Sequence, residues 1–343
     1  MADLLVVGAG LAGLACARDA EAAGLHVRLL DKSRGVSGRA ATRRVTLPGG
    51  EVARLDHGAR FFTARHERTR TLAESGVQSG WNAVWTRRVA QWADGQLDPA
   101  EDGHPRYAPP AGLSTLGHTL ARGLEVHSTA EITSLERRAG GWRVHARDGH
   151  SWEGARLVLN LPAPQLLALL NDVPLEGTAS EGACRTAAQV RFAPCWAAGL
   201  VLTRAPAWPH RATQARHPTL DWVALEHTKR PSGHPPALLV QANADWSAAH
   251  LEATPEDVLP VLHAAATEIM GEDLEVQATF THRWRYATPT RRAPGPCHWD
   301  AELALGWCGD WFTPDEHGPR VEAALLSGWA LARWLQAPAG SSW

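Results

Sequence analysis

Lysine is nearly missing from this chain: Lys32 and Lys229 are the only two among 343 residues, so basic chemistry rests on arginine and histidine. Cysteine is sparse as well. Cys16, Cys184, Cys195, Cys297 and Cys308 stand apart with no CxxC pair and no metal-ligand spacing, so no metal site is expected. Their odd number argues against a disulfide framework, and they read as reduced thiols of a cytoplasmic protein. An excess of charge of either sign is lacking too. A net charge of −2 gives no reason to expect nucleic acid or an anionic membrane surface as a partner. The longest apolar stretch, 157–170, is interrupted by Asn160, Pro162 and Pro164 and is too short to span a bilayer. The N-terminus runs straight into a strand, without the pattern of a secretory leader. No repeat or low-complexity tract is visible.

What the chain does have is a 44% apolar fraction, enough to bury a sizeable core, and a length that suits two domains. Its most informative segment comes first. Leu4-Leu5-Val6-Val7 reads as a strand, Gly8-Ala9-Gly10-Leu11-Ala12-Gly13 as a turn opening an amphipathic helix, and His26 to Leu30 as a second strand closed by Asp31. This is a nucleotide-cradling βαβ unit. Gly8 permits the tight turn, Gly10 lets backbone approach a pyrophosphate, and Gly13 lets the helix pack close to the strand. Phosphates sit on the helix N-terminus, where unpaired N–H groups and the dipole favour negative charge. Asp31 can accept hydrogen bonds from a ribose diol.

Further along, Lys32-Ser33-Arg34-Gly35-Val36-Ser37-Gly38-Arg39 forms a glycine-rich basic loop. Strands are expected over 52–56, 85–92, 156–160 and 303–308, with a hairpin at 131–147 turning on Ala139-Gly140-Gly141. Helices are expected over 65–75, 113–122, 256–270 and 320–335. From about residue 163 to 274 strand-like runs at 196–203, 220–226 and 237–242 alternate with Pro- and His-rich loops. A nucleotide domain made of 1–75, 112–165 and 275–343 therefore reads as interrupted by a substrate domain made of 76–111 and 166–274. Two motifs favour FAD over NAD. Gly38-Arg39 offers a turn and a guanidinium to the second side of a pyrophosphate. Gly309-Asp310 places a carboxylate after a strand, where ribityl hydroxyls can reach it.

These blocks, in this order, resemble the renalase-like flavoproteins of the flavin amine oxidase superfamily. The resemblance rests on Gly8-x-Gly10-x-x-Gly13, Asp31-Lys32 through Ser37-Gly38-Arg39, Asp56-His57-Gly58-Ala59-Arg60-Phe61-Phe62, Leu161-Pro162-Ala163-Pro164-Gln165, Trp222 with Lys229, Ala244-Asp245-Trp246-Ser247, Trp284-Arg285-Tyr286-Ala287 and Gly309-Asp310-Trp311-Phe312. It implies an α/β fold: a Rossmann-like FAD-binding domain of the flavin amine oxidase/p-hydroxybenzoate hydroxylase type, with an inserted α+β substrate domain holding a mixed antiparallel sheet. It implies non-covalent FAD, contacted by Ala12, Ala59 and Arg60 and, through backbone, by Ile132 near the adenine. The N–H groups of the helix beginning at Arg320-Val321-Glu322 are expected to face the flavin's N1/O2 edge. Arg60, Phe62, Trp284 and Tyr286 are the candidates for lining the ring. Ser37 departs from the family, standing where glycine is frequent. His57 lies at a variable position and is not taken as catalytic.

The resemblance also implies a reaction: oxidation of dihydropyridine isomers of NAD(P)H, a small dinucleotide substrate, with O2 reduced to hydrogen peroxide. Hydride loss restores an aromatic pyridinium and needs no general base, which suits a chain without an evident acid–base constellation. Amine oxidation is the alternative. Its usual lysine could only be Lys229, which lies in a Lys-Arg-Pro-Ser-Gly run that reads as an exposed turn. A non-enzymatic escort protein of the same fold is a third reading. Between Gly182 and Pro235 seven basic side chains face two acids, a surface expected to favour phosphates over protonated amines.

Overall fold

A computed structural model of the chain describes residues 1–98, 101–318 and 320–336. It divides into two compact units: Met1–Arg39, Leu116–Arg191 and the chain from Pro289 onward form one, and Ala40–Thr115 with Phe192–Thr288 the other. These units cut the chain differently from the boundaries read in the sequence, whose last stretch, 275–343, also ends outside the described residues. Residues 40–75 belong to the second unit because the hairpin Thr42–Thr46/Val52–Asp56 buries Leu47, Ala53 and Leu55 against Val201, Ala237 and Leu239. Residues 276–288 belong there because they run along the edge of its sheet. Residues 166–191 belong to the first unit, where the helix Ala179–Ala187 is anchored by Asp300, which accepts from the N–H and hydroxyl of Ser180.

The first unit is built on parallel strands in the spatial order Glu125–His127, Val27–Leu30, Ala2–Val7, Ser151–Leu159 and Leu305–Trp307. Near-continuous burial of Ala2–Val7 and of Leu157 to Leu159 follows from having both faces covered. The expected hairpin is present as Ile132–Arg138 antiparallel to Gly141–Ala146, which in turn pairs with the first half of Ser151–Leu159. The helices Leu11–Ala22 and Val321–Gln336 cross where neither has bulk: a Cβ on Gly328 would lie 2.1 Å from the Ala12 carbonyl oxygen. The parallel strands end at Gly8, Asp31, Asn160 and Cys308-Gly309-Asp310. In open α/β sheets this carboxyl edge is where ligands bind.

The second unit is a seven-stranded sheet in the order Val276–Arg291, Arg191–Leu202, Ala237–Ala242, Leu220–Leu225, Ala212–Arg216, Ala90–Ala93 and Gln96–Asp98. One face carries Trp196, Leu200, Val223 and Val240 against the helix Pro255–Met270. That helix is fully signalled in sequence. Thr254 caps it by accepting from the Asp257 N–H, Pro255 opens it, and Gly271 closes it at φ +67°. The expected strand over 85–92 is instead broken at Val89. Val84–Arg88 pairs with Glu101–Tyr107, whereas Ala90–Ala93 joins the main sheet. No helix among the described residues is long and apolar enough to cross a membrane.

Candidate cofactor and substrate sites

In the first unit the glycine turn is shaped by its neighbours as the fingerprint requires. Gly8 has φ +101°, and a Cβ there would meet the Asn160 carbonyl oxygen at 2.2 Å. A Cβ on Gly13 would meet the Gly8 carbonyl oxygen at 2.2 Å, which is the close helix–strand approach. At Gly10 the neighbour is the Asn160 side-chain oxygen, 2.8 Å from an added Cβ. Asn160 thus forms the floor under all three glycines. It donates its backbone N–H to Val7 (2.7 Å) and its side-chain amide to the Cys308 carbonyl (3.0 Å), tying the first strand to the Gly309-Asp310 turn. Sequence reasoning passed over Asn160 as the end of a strand; its place beside the fingerprint is a fact of sheet order.

Asp31 accepts from the Ala9 N–H at 2.6 Å and the Ser33 N–H at 2.7 Å, so it braces the glycine turn and begins the basic loop. The loop returns to the turn: Ser37 donates its N–H to Ala9 (2.8 Å), and Gly38 lies over the Gly10 Cα. Ser37 holds φ +98°, a region where glycine is at ease, and its buried hydroxyl finds no hydrogen-bond partner among the described residues. Arg39 reaches Asp310 at 2.5 Å, and Gly309 donates its N–H to the buried Ser327 at 3.0 Å. Ile132 opens its strand close behind Asp31, whose carbonyl accepts the Ala130 N–H at 2.8 Å. Lys32 is exposed. Val321 begins the last helix, and Glu322 is buried with its carboxylate held by Arg320 at 2.6 Å. The helix Leu11–Ala22 has glycine at its cap with no side-chain hydrogen bond, leaving its first N–H groups for a ligand. A glycine cradle, an uncapped helix N-terminus, a guanidinium and two carboxylates fit a flavin dinucleotide.

In the second unit Arg60 is fixed on the sheet face away from the Pro255–Met270 helix. It donates Nε–H to Gln241 at 2.5 Å, Nη1–H to Gln214 at 3.3 Å and Nη2–H to Asp221 at 2.6 Å, and its guanidinium stacks 4.6 Å over Trp222. Gln241 in turn donates to the Gly58 carbonyl at 2.8 Å, so the turn 57–60 is held from the sheet. Trp284 stacks on His57 and donates its indole N–H to the His57 carbonyl at 2.8 Å. Tyr286 meets Phe192 edge-on at 5.6 Å. Phe62, by contrast, is buried and stacked on Tyr107, away from this group. Burial, then His282, push the His57 pKa down to about 4, so the ring is neutral near pH 7.

Lys229 overturns the expectation of an exposed turn. It ends the short 3-10 helix Glu226–Lys229, and its side chain is wholly buried. Its Nζ lies 2.5 Å from Glu226 and 3.4 Å from Asp56, donates to the Arg60 carbonyl at 2.7 Å, and sits 4.7 Å over Trp85. Arg230 completes the cluster at 2.8 Å from Asp56 and 3.0 Å from Glu226. Burial raises the Asp56 carboxyl, but Arg230 and Lys229 more than offset it and hold it below the usual carboxylate range. The expected basic surface between Gly182 and Pro235 is likewise reduced. Arg185 pairs with Glu181, Arg204 with Glu272, and Lys229 and Arg230 with Asp56 and Glu226. Three of those four acids, Glu181, Glu272 and Asp56, lie outside the segment, so its excess of positive charge is smaller in three dimensions than along the chain.

A parallel sheet whose carboxyl edge carries a glycine cradle and two carboxylates, Asp31 and Asp310, is a dinucleotide-binding arrangement. The NAD(P)-binding Rossmann-like domain profile matches residues 6–75, and the flavin containing amine oxidoreductase profile matches residues 83–335. The chain belongs to the flavin containing amine oxidoreductase family, and is an FAD-dependent oxidoreductase of its renalase-like kind. It is similar to renalase of Mus musculus, 24% identical over 352 residues that span 98% of this chain and 100% of that protein. Solved structures share the fold. A putrescine oxidase variant from a redesign of cofactor binding has a TM-score of 0.72 at 13% identity, over 98% of both chains. A triple variant from the same redesign gives 0.71 at 13% identity, again over 98% of both chains.

Proposed function

We propose that this enzyme oxidises dihydropyridine isomers of NAD(P)H, the α-anomer or the 2- and 6-dihydro forms, to NAD(P)+. FAD, when bound, would supply the hydride acceptor, N5, and the route of the electron pair to O2. Overall, the dihydropyridine loses hydride and becomes an aromatic pyridinium, and hydride, one proton and O2 give hydrogen peroxide. No proton leaves carbon, so the protein's task is to bind, orient and exclude competing donors.

The cofactor would be held by Gly8, Gly10, Ala12, Gly13, Gly38 and Arg39 at the pyrophosphate, by Asp31, Lys32 and Ile132 at the adenosine, and by Asp310, Val321, Glu322, Ala59 and Arg60 toward the flavin. Arg60, Trp284 and Tyr286 are the substrate-side groups. The observation that carries the reading is Lys229. An amine oxidase of this family would use a lysine near N5, and the one lysine outside the cofactor loop has its ammonium committed to Glu226, Asp56 and a backbone carbonyl. His57, its pKa lowered to about 4 by burial, is a weak base, and Asp221 is paired with Arg60. Hydrogen peroxide release from the holoenzyme tests the proposal. It should be produced with α-NADH or 6-dihydroNAD and not with primary or secondary amines; the opposite pattern would overturn it.

A further inference from the structure

We infer that Arg60 and Asp221 read the carboxamide of the substrate's pyridine ring, as a paired donor and acceptor selective for a primary amide. The inference rests on the dihydropyridine reading above. Arg60 and Asp221 are 2.6 Å apart, with side chains 24% and 37% exposed, so both are held yet reachable. Arginine carries five N–H donors. Three are used here, on Gln241, Gln214 and Asp221, which leaves one on each Nη nitrogen. Each Asp221 oxygen has one protein donor: Nη2 of Arg60 on one and the Gln214 side-chain amide on the other. A carboxylate oxygen accepts more than one, so acceptor capacity remains beside the spare donors.

The match is to a group with a carbonyl oxygen and an NH2 on one carbon. Its oxygen takes an Arg60 N–H, and its NH2 donates to Asp221. Charge narrows the choice. The pair is neutral overall, so a phosphate gains little from an arginine already matched, and a protonated amine gains little from a carboxylate already matched. Rigidity adds to selectivity. Gln214 and Gln241 hold the guanidinium in its plane, and Trp222 supports it from below at 4.6 Å. A ligand lacking the NH2 would leave a desolvated Asp221 acceptor without a donor, which costs more than losing one exposed hydrogen bond.

The test uses FAD-loaded enzyme and two 6-dihydro dinucleotides, one with the 3-carboxamide and one with 3-acetyl, which keeps the carbonyl but has no N–H. Their oxidised forms are titrated alongside, by calorimetry, to read binding without turnover. Wild type should prefer the carboxamide about tenfold or more in both kcat/KM and Kd. Asp221→Ala should bring the two within about twofold, with thermal midpoint and FAD content confirming the fold. If Asp221→Ala does not retain FAD, Asp221→Asn should still cut the preference several-fold. Turnover of dihydropyridines with no amide preference in wild type, or with a preference untouched by these substitutions, overturns the inference alone. No turnover of any dihydropyridine overturns it together with the proposed function.

Discussion

The ammonium of Lys229 lies 2.5 Å from the carboxylate of Glu226, and neither side chain reaches solvent. Together with Asp56 and Arg230 they form a buried set of two cations and two anions. Removing one member leaves an uncompensated charge, so Lys229→Met should cost about 3–5 kcal/mol in denaturant-measured stability. Glu226→Gln combined with Lys229→Met should recover part of that loss. A Lys229→Met protein of normal stability that retains FAD and loses only turnover would instead make Lys229 a participant in the chemistry.

Ser37 tests the basic loop. Its φ of +98° carries a strain of about 1–3 kcal/mol, and its buried hydroxyl has no hydrogen-bond partner among the described residues. Glycine there adds about 0.4–1 kcal/mol of unfolded-state entropy, the smaller effect. Ser37→Gly should therefore raise stability by about 1 kcal/mol with FAD retained, read from the denaturation midpoint. A destabilised variant would mean that the hydroxyl contributes a bond of its own.

Arg39 and Asp310 should matter to FAD retention more than to folding. Each charge-assisted hydrogen bond is worth about 1.5–3 kcal/mol, so Arg39→Ala or Asp310→Ala should weaken retention at least tenfold. Dialysis followed by the flavin absorbance of the retained protein checks this. Stoichiometric flavin in both variants would remove these residues from the cofactor site. Acid precipitation of wild type should release the flavin to the supernatant, as expected for non-covalent FAD.

The pH dependence of stability has a sign fixed by His57. Its pKa falls from 6.5 to about 4 in the fold, so above pH 6.5 the ring is neutral in both states and contributes no pH dependence. Between pH 6.5 and 4 the unfolded chain takes up a proton that the folded chain refuses, so stability falls as pH falls. The full window is worth on the order of 3 kcal/mol. His298, also lowered to about 4 by burial, acts in the same direction in the first unit. Urea denaturation from pH 7 to 4 should show this slope, and His57→Phe should flatten it. An unchanged slope would mean that His57 titrates normally.

The dinucleotide unit was legible because its signals are local: glycines at fixed spacing, an acid ending the next strand, and Gly-Asp after a late strand. What was not legible depends on distant partners. The Lys-Arg-Pro-Ser-Gly run has the composition of a turn, and the partners that let its cations be buried include Asp56, 173 residues from Lys229, and the distant Arg60 carbonyl and Trp85. The sixteen-residue strand Val276–Arg291 alternates polar and aromatic side chains because it lies at a sheet edge, so it carries no apolar run to announce it. Arg60 was singled out in the sequence, whereas Gln214, Asp221 and Gln241, which hold its guanidinium, were not. Each is a polar residue in a strand, and only sheet pairing brings the three to one guanidinium.

The central claim is that the electron donor is a dihydropyridine and not an amine. The most direct measurement is anaerobic stopped-flow mixing of the FAD-loaded enzyme with α-NADH, 6-dihydroNAD, β-NADH and a panel of primary and secondary amines, following flavin absorbance. The isomeric dihydropyridines should bleach the flavin rapidly, β-NADH slowly and the amines not at all. With the preferred isomer, the rate should vary little between mildly acid and mildly alkaline pH, because no titrating base takes part. Fast bleaching by an amine, with none by any dihydropyridine, would contradict the account.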